Sequence, residues 1–387
     1  MKLHRNIVEA ILRSLQEIFV ENKYADKVIE RVLKSNPKWG GRDRRFIAET
    51  TYDIVRWYRL LEELLPNKER TFENIFNTYC EWKGLSPSDT IQERKNSVLF
   101  DRKIRESIPD WMDDLGVAEL GEEKWEKEIH SLNQEAKVVL RANTLKCPKE
   151  KLQELLQQEG IETETSSNAP DALVLTKRKN IFTSSAFKNG WFEVQDASSQ
   201  SVAPFMQLQD GMRVIDACAG AGGKTLHLAA LMNNKGRIIA LDSESWKLEE
   251  LRKRARRAGA TNIETRTIDS SKVIKRMAGT ADRLLLDVPC SGMGVLRRNP
   301  DAKWKLSIDF IEKVKMLQQK ILNEYSAMLK KGGMLVYSTC SIFPSENEKQ
   351  VEEFLKAKGG AFELHEQKTI YPSEGFDGFF IARLIKK

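Results

Sequence analysis

The sequence predicts an α/β protein: a mostly parallel sheet covered by helices in the C-terminal half, preceded by a small α+β subdomain and an all-α N-terminal domain. Three observations carry this. Arg213-Val-Ile-Asp-Ala-Cys-Ala-Gly-Ala-Gly-Gly-Lys-Thr225 is a short β-type run that breaks into glycines, and Leu226-His-Leu-Ala-Ala-Leu231 resumes at helical spacing. A strand that turns sharply into a helix in this way presents backbone N–H groups to a nucleotide-like ligand. From residue 211 onward, near-continuous apolar segments alternate with helical patterns, as strands buried on both faces require. Residues 5–130, by contrast, place their apolar side chains at helical spacing.

In chain order, Met1-Lys-Leu-His-Arg-Asn leads into an amphipathic helix rather than the apolar core of a signal peptide, and no stretch approaches eighteen consecutive apolar residues. A cytoplasmic protein is expected. Ile7, Ile11, Leu15, Ile18 and Phe19 mark one helix; Ile47, Thr51, Ile54, Val55, Tyr58 and Leu61 mark another. Further helices are punctuated by Pro66, Gly84-Leu-Ser-Pro87, Pro109 and Gly116, with Trp57, Trp82, Trp111 and Trp125 as core pieces. Arg42-Asp-Arg-Arg-Phe-Ile-Ala-Glu-Thr-Thr-Tyr-Asp-Ile-Val-Arg56 resembles the signature helix of NusB-like RNA-binding domains, although a bundle used only for packing explains it as well. Residues 1–130 are therefore expected to form one helical domain.

Residues 131–205 change texture. Lys137–Asn143, Ala172–Thr176 and Trp191–Val194 read as strands, and Pro148–Gln158 as a helix opened by proline and closed by Gly160. This segment lacks the aromatic strand motif of an RNA-recognition module and reads as a platform. In residues 206–387 the expected strands are Val214–Cys218, Arg237–Leu241, Asn262–Arg266, Arg283–Asp287, Met334–Ser338 and Phe379–Leu384. Helices are expected near 223–232, 245–258, 307–330 and 346–357.

The net charge of +7 is uneven: residues 1–130 carry −2 and the remainder +9. The basic half is the half with the glycine loop, which points to an anionic partner there, nucleic acid before others. A merely solubilising surface is the alternative. Cys80, Cys147, Cys218, Cys290 and Cys340 lie far apart, with no C-x-x-C pair and no histidine set, so neither a zinc site nor a disulfide framework is expected.

The cofactor signal is the loop Cys218-Ala219-Gly220-Ala221-Gly222-Gly223-Lys224, with Asp242 twenty residues after Gly222 at the end of the next strand. An acid there can accept from both hydroxyls of a ribose, and Asp269 after the third strand is a candidate for an adenine amino group. A P-loop needs glycine where Cys218 stands, and a dinucleotide fingerprint needs one where Thr225 stands. S-adenosylmethionine, which has ribose and adenine but no phosphate, fits best.

The fourth strand ends in Asp287-Val-Pro-Cys-Ser-Gly292 and the fifth in Tyr337-Ser-Thr-Cys-Ser341, which places Cys290 and Cys340 on neighbouring strand ends. One such cysteine is more often a small buried hydrophobe; two reverse those odds. With Leu140-Arg-Ala-Asn-Thr-Leu-Lys146, Val194-Gln-Asp-Ala-Ser-Ser199, the glycine loop, Arg298-Asn-Pro-Asp301 and Ser338-Thr-Cys-Ser-Ile-Phe-Pro-Ser-Glu-Asn-Glu348, these motifs resemble the RsmB/NOP2/NSUN-type RNA 5-methylcytosine methyltransferases over roughly residues 138–387. The resemblance implies a Rossmann-like methyltransferase domain that uses S-adenosylmethionine on RNA, with ribosomal RNA of the small subunit as the expected substrate. Transfer RNA, or a non-catalytic assembly role, is the alternative.

The same resemblance makes Cys340 the nucleophile, Asp287 the group that holds the base, and Cys290 the residue that assists adduct breakdown; a swap of the two cysteines stays open. It also brings two departures. The usual Ala-Pro of the cofactor loop is Gly220-Ala221 here, and, with the sequence ending soon after Asp377-Gly-Phe-Phe-Ile-Ala-Arg383, the additional C-terminal RNA-binding domain of some relatives is not expected. Arg141, Asn143, Arg297 and Arg298 are expected RNA contacts, with Lys303 and Lys305 beside the latter pair. The helix bearing Arg252, Lys253, Arg254, Arg256 and Arg257 is read equally well as a solvated face. A monomer with no metal and no membrane contact is expected.

Overall fold

The computed structural model describes residues 4–66, 69–86, 91, 94, 100–167 and 169–387; the expected features at Met1–Leu3 and Pro87 lie outside them. The chain forms two compact units, one of residues 1–135 and 296–308, the other of 136–295 and 309–387.

The first unit is helical. Its helices include Arg5–Phe19, Ala25–Ser35, Gly41–Arg56, Tyr58–Leu64, Phe72–Trp82, Asp110–Leu120 and Glu122–Leu132. Ile11, Leu15, Ile47, Ile54, Leu61 and Ile75 are fully buried together, which is the outcome of their helical spacing. The helix expected to run through Leu61 breaks at Trp57 (φ −107°, ψ 21°). There Ser107 Oγ accepts from the Arg59 N–H at 3.0 Å, an alternative partner that no local pattern reveals.

The segment 296–308 folds into this unit, against the expectation that its cations meet RNA. Lys303 is fully buried, with Nζ 3.2 Å from Arg56 O, 3.1 Å from Glu106 O, 3.2 Å from Ser107 O and also bonded to Asn133 Oδ1. Arg297 donates to Ser131 O at 3.0 Å, and Lys305 to Ile18 O at 3.1 Å. A buried cation needs acceptors, and backbone carbonyls supply them here.

The second unit holds two sheets. The smaller is antiparallel in the order β2-β3-β1-β4, with β1 Val139–Ala142, β2 Thr163–Thr165, β3 Ala172–Leu175 and β4 Phe192–Val194. The helix Lys149–Gln158 covers it with Leu152 and Leu156.

The larger sheet has the order β10-β11-β9-β8-β5-β6-β7, built from β5 Arg213–Asp216, β6 Arg237–Asp242, β7 Ile263–Thr267, β8 Ala281–Asp287, β9 Leu329–Thr339, β10 Phe362–Ile370 and β11 Phe379–Lys386. Strands β9, β8, β5, β6 and β7 pair in parallel, while β11 and β10 close one edge antiparallel. Ile215, Ile239, Leu284 and Leu335 are fully buried beneath helices, as a parallel sheet demands. Strand β10 has no counterpart among the expected strands. Its Glu363, His365, Glu366, Gln367 and Lys368 make it polar, which an edge strand tolerates and an apolar-run search misses.

Candidate active site

Parallel neighbours release their loops at the same edge of a sheet, and this places the chemistry. Strands β8 and β9 pair with Asp287 opposite Ser338, so the loops that follow carry Cys290 and Cys340 to one point. Their sulfurs lie 3.1 Å apart, although fifty residues separate them in sequence. The Cys340 N–H also points at Cys290 Sγ, at 3.3 Å. Contact with Cys340, then burial, pushes the Cys290 thiol well above its usual range.

Asp287 stands at the end of β8 with both oxygens engaged. Oδ1 accepts from Ser338 Oγ at 2.8 Å and Oδ2 from Lys224 Nζ at 2.7 Å. Lys224 Nζ also sits 4.8 Å from the centre of the Phe379 ring. The lysine of the glycine loop is therefore committed to a carboxylate rather than free for a phosphate.

Glu346 holds the two cysteine loops together. It has no exposed surface, yet its carboxylate accepts from Ser291 N–H at 2.8 Å, Ser291 Oγ at 2.5 Å, Ser341 Oγ at 2.6 Å and Gln318 Nε2 at 3.1 Å. Those bonds offset the cost of removing a carboxylate from water. Gly294 adds a backbone tie: its N–H donates to Cys340 O at 2.9 Å, and its carbonyl accepts from Gly378 N–H at 2.8 Å. A Cβ at position 294 would land on the Gly378 and Cys340 carbonyls, so only glycine fits.

The glycine loop joins β5 to the helix Gly223–Leu231. Gly220 and Gly222 take positive φ values of 54° and 88°, and a Cβ on Gly222 would collide with the Leu251 side chain. Gly220 N–H donates to Asp242 Oδ2 at 2.9 Å and Glu244 N–H to Asp242 Oδ1 at 2.9 Å, which fixes that carboxylate at the end of β6. Asp216 Oδ2 accepts from Thr225 Oγ1 at 2.7 Å, while its buried Oδ1 has no partner among the described residues. Burial pushes the Asp216 carboxyl up to about 7 and the neighbouring Cys218 thiol well above its usual range. Ala219 is buried, and Asp269 is exposed beyond β7.

The acidic side chains Asp242, Asp269 and Asp287 at the carboxyl ends of the strands, with the unpartnered Oδ1 of the Asp216 carboxyl nearby in sequence, suit a ligand bearing hydroxyls, amino groups and positive charge. They oppose a phosphate. S-adenosylmethionine, with its sulfonium and ammonium charges and its ribose, fits that set of acceptors.

Three residues expected at RNA face inward. Arg141 donates to Gly223 O at 2.7 Å and to Gln195 Oε1; Asn143 Nδ2 donates to Gly190 O at 2.7 Å and Ala258 O at 2.8 Å; Arg297 belongs to the helical unit. A polar motif with no burial information reads the same whether its partner is RNA or backbone. Arg298 is half-buried. Nothing in the local sequence singles out Ser291, Gln318, Ser338 or Glu346 as functional, although Ser291 lies in Asp287–Gly292 and Ser338 and Glu346 lie in Ser338–Glu348.

A doubly wound sheet with an acidic cofactor edge and a cysteine pair defines a methyltransferase of Rossmann-like fold. Sequence comparison narrows this. A family model described as 16S rRNA methyltransferase RsmB/F matches residues 203–385, and one described as the RsmF/B-like ferredoxin-like domain matches residues 108–182. A Synechocystis sp. protein named "Probable ribosomal RNA small subunit methyltransferase B" is 32% identical over 96% of this chain and 97% of its own length. Ribosomal RNA small subunit methyltransferase B of Proteus mirabilis is 32% identical over 86% of this chain and 81% of its own. The crystal structure of a methyltransferase homologue from Pyrococcus horikoshii superposes with a TM-score of 0.66 at 28% identity, covering 75% of this chain and 99% of that one. The chain belongs to the RsmB/NOP2 family of RNA methyltransferases.

Proposed function

We propose that this protein transfers a methyl group from S-adenosylmethionine to carbon 5 of a cytosine in small-subunit ribosomal RNA, through a covalent adduct on Cys340. The observation that carries this reading is the pair of sulfurs 3.1 Å apart beside Asp287. Carbon 5 of cytosine is a poor nucleophile. Addition of the Cys340 thiolate to carbon 6 moves the ring's electrons onto carbon 5 as an enamine. The methyl donor, when bound, supplies an electrophilic methyl group to that carbon.

Loss of the carbon-5 proton and expulsion of the Cys340 thiolate then restore the aromatic ring. Cys290, whose sulfur lies 3.1 Å from that of Cys340, stands where it can take up or relay the carbon-5 proton during breakdown of the adduct. Asp287, anchored by Lys224 and Ser338, holds the N3/N4 edge of the base. The target cytosine must be unpaired or everted, since a stacked base offers no approach to carbon 6. The names of the curated relatives support ribosomal RNA as the substrate.

The test is covalent trapping with labelled donor and RNA. Cys290→Ala is expected to accumulate a protein–RNA adduct that survives denaturing electrophoresis, and Cys340→Ala to form none. The reverse pattern assigns the nucleophile to Cys290. Methylation of transfer RNA transcripts but not of small-subunit RNA overturns the substrate.

A further inference from the structure

The cofactor loop is gripped from outside by two arginines that belong to other elements. Arg254, on the helix Ser245–Ala258, donates to Ala221 O at 2.8 Å, and Arg141, on β1, donates to Gly223 O at 2.7 Å. Each arginine is itself anchored to β4 or the residue just after it. Glu193 has only 4% of its side chain exposed and takes Arg254 at 2.9 Å and Arg257 at 2.5 Å, while Gln195 accepts from Arg141. Gln195 Nε2 in turn reaches Ser199 Oγ at 3.1 Å.

This arrangement falls where the loop is least rigid by composition. Gly220, at φ 54°, is followed by Ala221 with no proline in the loop, which leaves a wide range of backbone states open to the free chain. A guanidinium bound to a fixed carboxylate and a loop carbonyl restricts those states by geometry instead of covalent structure, because its donors form a planar fork.

Resting on the S-adenosylmethionine reading above, we propose that Arg254 and Arg141 are positioning residues that set donor affinity, with the small antiparallel sheet as their anchor through Glu193 and Gln195. They touch neither base nor reacting sulfur. The backbone they hold carries the Gly220 N–H that orients Asp242 and leads into Lys224, the partner of Asp287. Of the basic residues on this helix, Arg254 and Arg257 thus serve the interior.

The experiment compares the full-length protein with Arg254→Met, with Glu193→Gln/Arg254→Met, and with each carrying Ala221→Pro. In the single variant Glu193 keeps Arg257 as its partner, so its buried carboxylate is not left alone; the double variant removes that carboxylate too and tests whether the effect needs it. Loss of a charged hydrogen bond predicts about a tenfold rise in the KM for S-adenosylmethionine and in the calorimetric Kd for S-adenosylhomocysteine, with kcat and the KM for RNA within about twofold. Amide exchange at residues 218–223 accelerates correspondingly. The Ala221 N–H has no acceptor among the described residues, so proline costs no hydrogen bond and is expected to restore most of the affinity.

Unchanged nucleoside affinity and unchanged exchange in both variants overturn the proposal. So does a rise confined to the KM for RNA, which makes Arg254 an RNA contact. If the unmodified protein binds no adenosyl nucleoside, the cofactor reading fails by itself, and the exchange measurement still reports whether the arginines hold the loop.

Discussion

Glu346 Oε2 accepts a 2.8 Å hydrogen bond from the backbone N–H of Ser291, a residue 55 positions earlier in the chain. The same carboxylate takes Ser341 Oγ from the other cysteine loop. One buried side chain therefore fixes the separation of two thiols that local sequence leaves independent.

Glu346→Ala is expected to leave Ser291, Ser341 and the Gln318 amide short of an acceptor, at roughly 1–3 kcal/mol for each group that stays buried. Methyl transfer is expected to fall about a hundredfold, with adduct formation reduced in parallel. Equilibrium denaturation and adduct trapping on the same preparations check it. A variant that keeps full adduct yield removes Glu346 from the positioning of the cysteines.

Stability should depend on pH through two buried groups of opposite sign. The Asp216 carboxyl is raised to about 7 from an ordinary 3.8, so the fold favours its protonated form. That contribution is complete below pH 3.8 and is lost as pH rises through about 7. Burial, with Arg141 nearby, lowers the His227 imidazole to about 4 from 6.5, so its contribution is complete above 6.5 and lost as pH falls through about 4. Asp216→Asn is expected to flatten the decline on the alkaline side, and His227→Gln the decline on the acid side. Denaturant midpoints taken across that range read both slopes.

Lys303→Met should destabilise the helical unit, because Arg56 O, Glu106 O, Ser107 O and Asn133 Oδ1 lose their shared donor. A loss on the order of 3 kcal/mol is expected from carbonyls left buried without a partner. Thermal unfolding followed by circular dichroism measures it. An unchanged transition means that water or a neighbouring donor replaces the ammonium group.

The two cysteine motifs and the glycine loop were legible because each is a run of adjacent residues whose backbone role follows from residue type. Asp287, Cys290 and Cys340 meet because parallel strands end at one edge, a rule that converts sequence order into proximity. The cations misled for the opposite reason. Arg141, Arg297 and Lys303 look in sequence like a basic surface, yet each is buried against backbone oxygen. Charge is a property of the residue, but exposure is a property of the fold.

By itself, then, the order of amino acids determined the succession of helices and strands apart from the polar edge strands β2 and β10, the α/β class and the residue types at the strand ends. These follow from periodicity and from what glycine and proline permit within a few residues. Only the tertiary structure decided that Glu346 bridges Ser291 and Ser341, that Arg254 and Arg141 hold the cofactor loop, and that residues 296–308 join the helical unit. Each of those is a pairing between groups far apart in the chain, and such pairings are chosen by which buried polar atoms must find a partner once the core has closed.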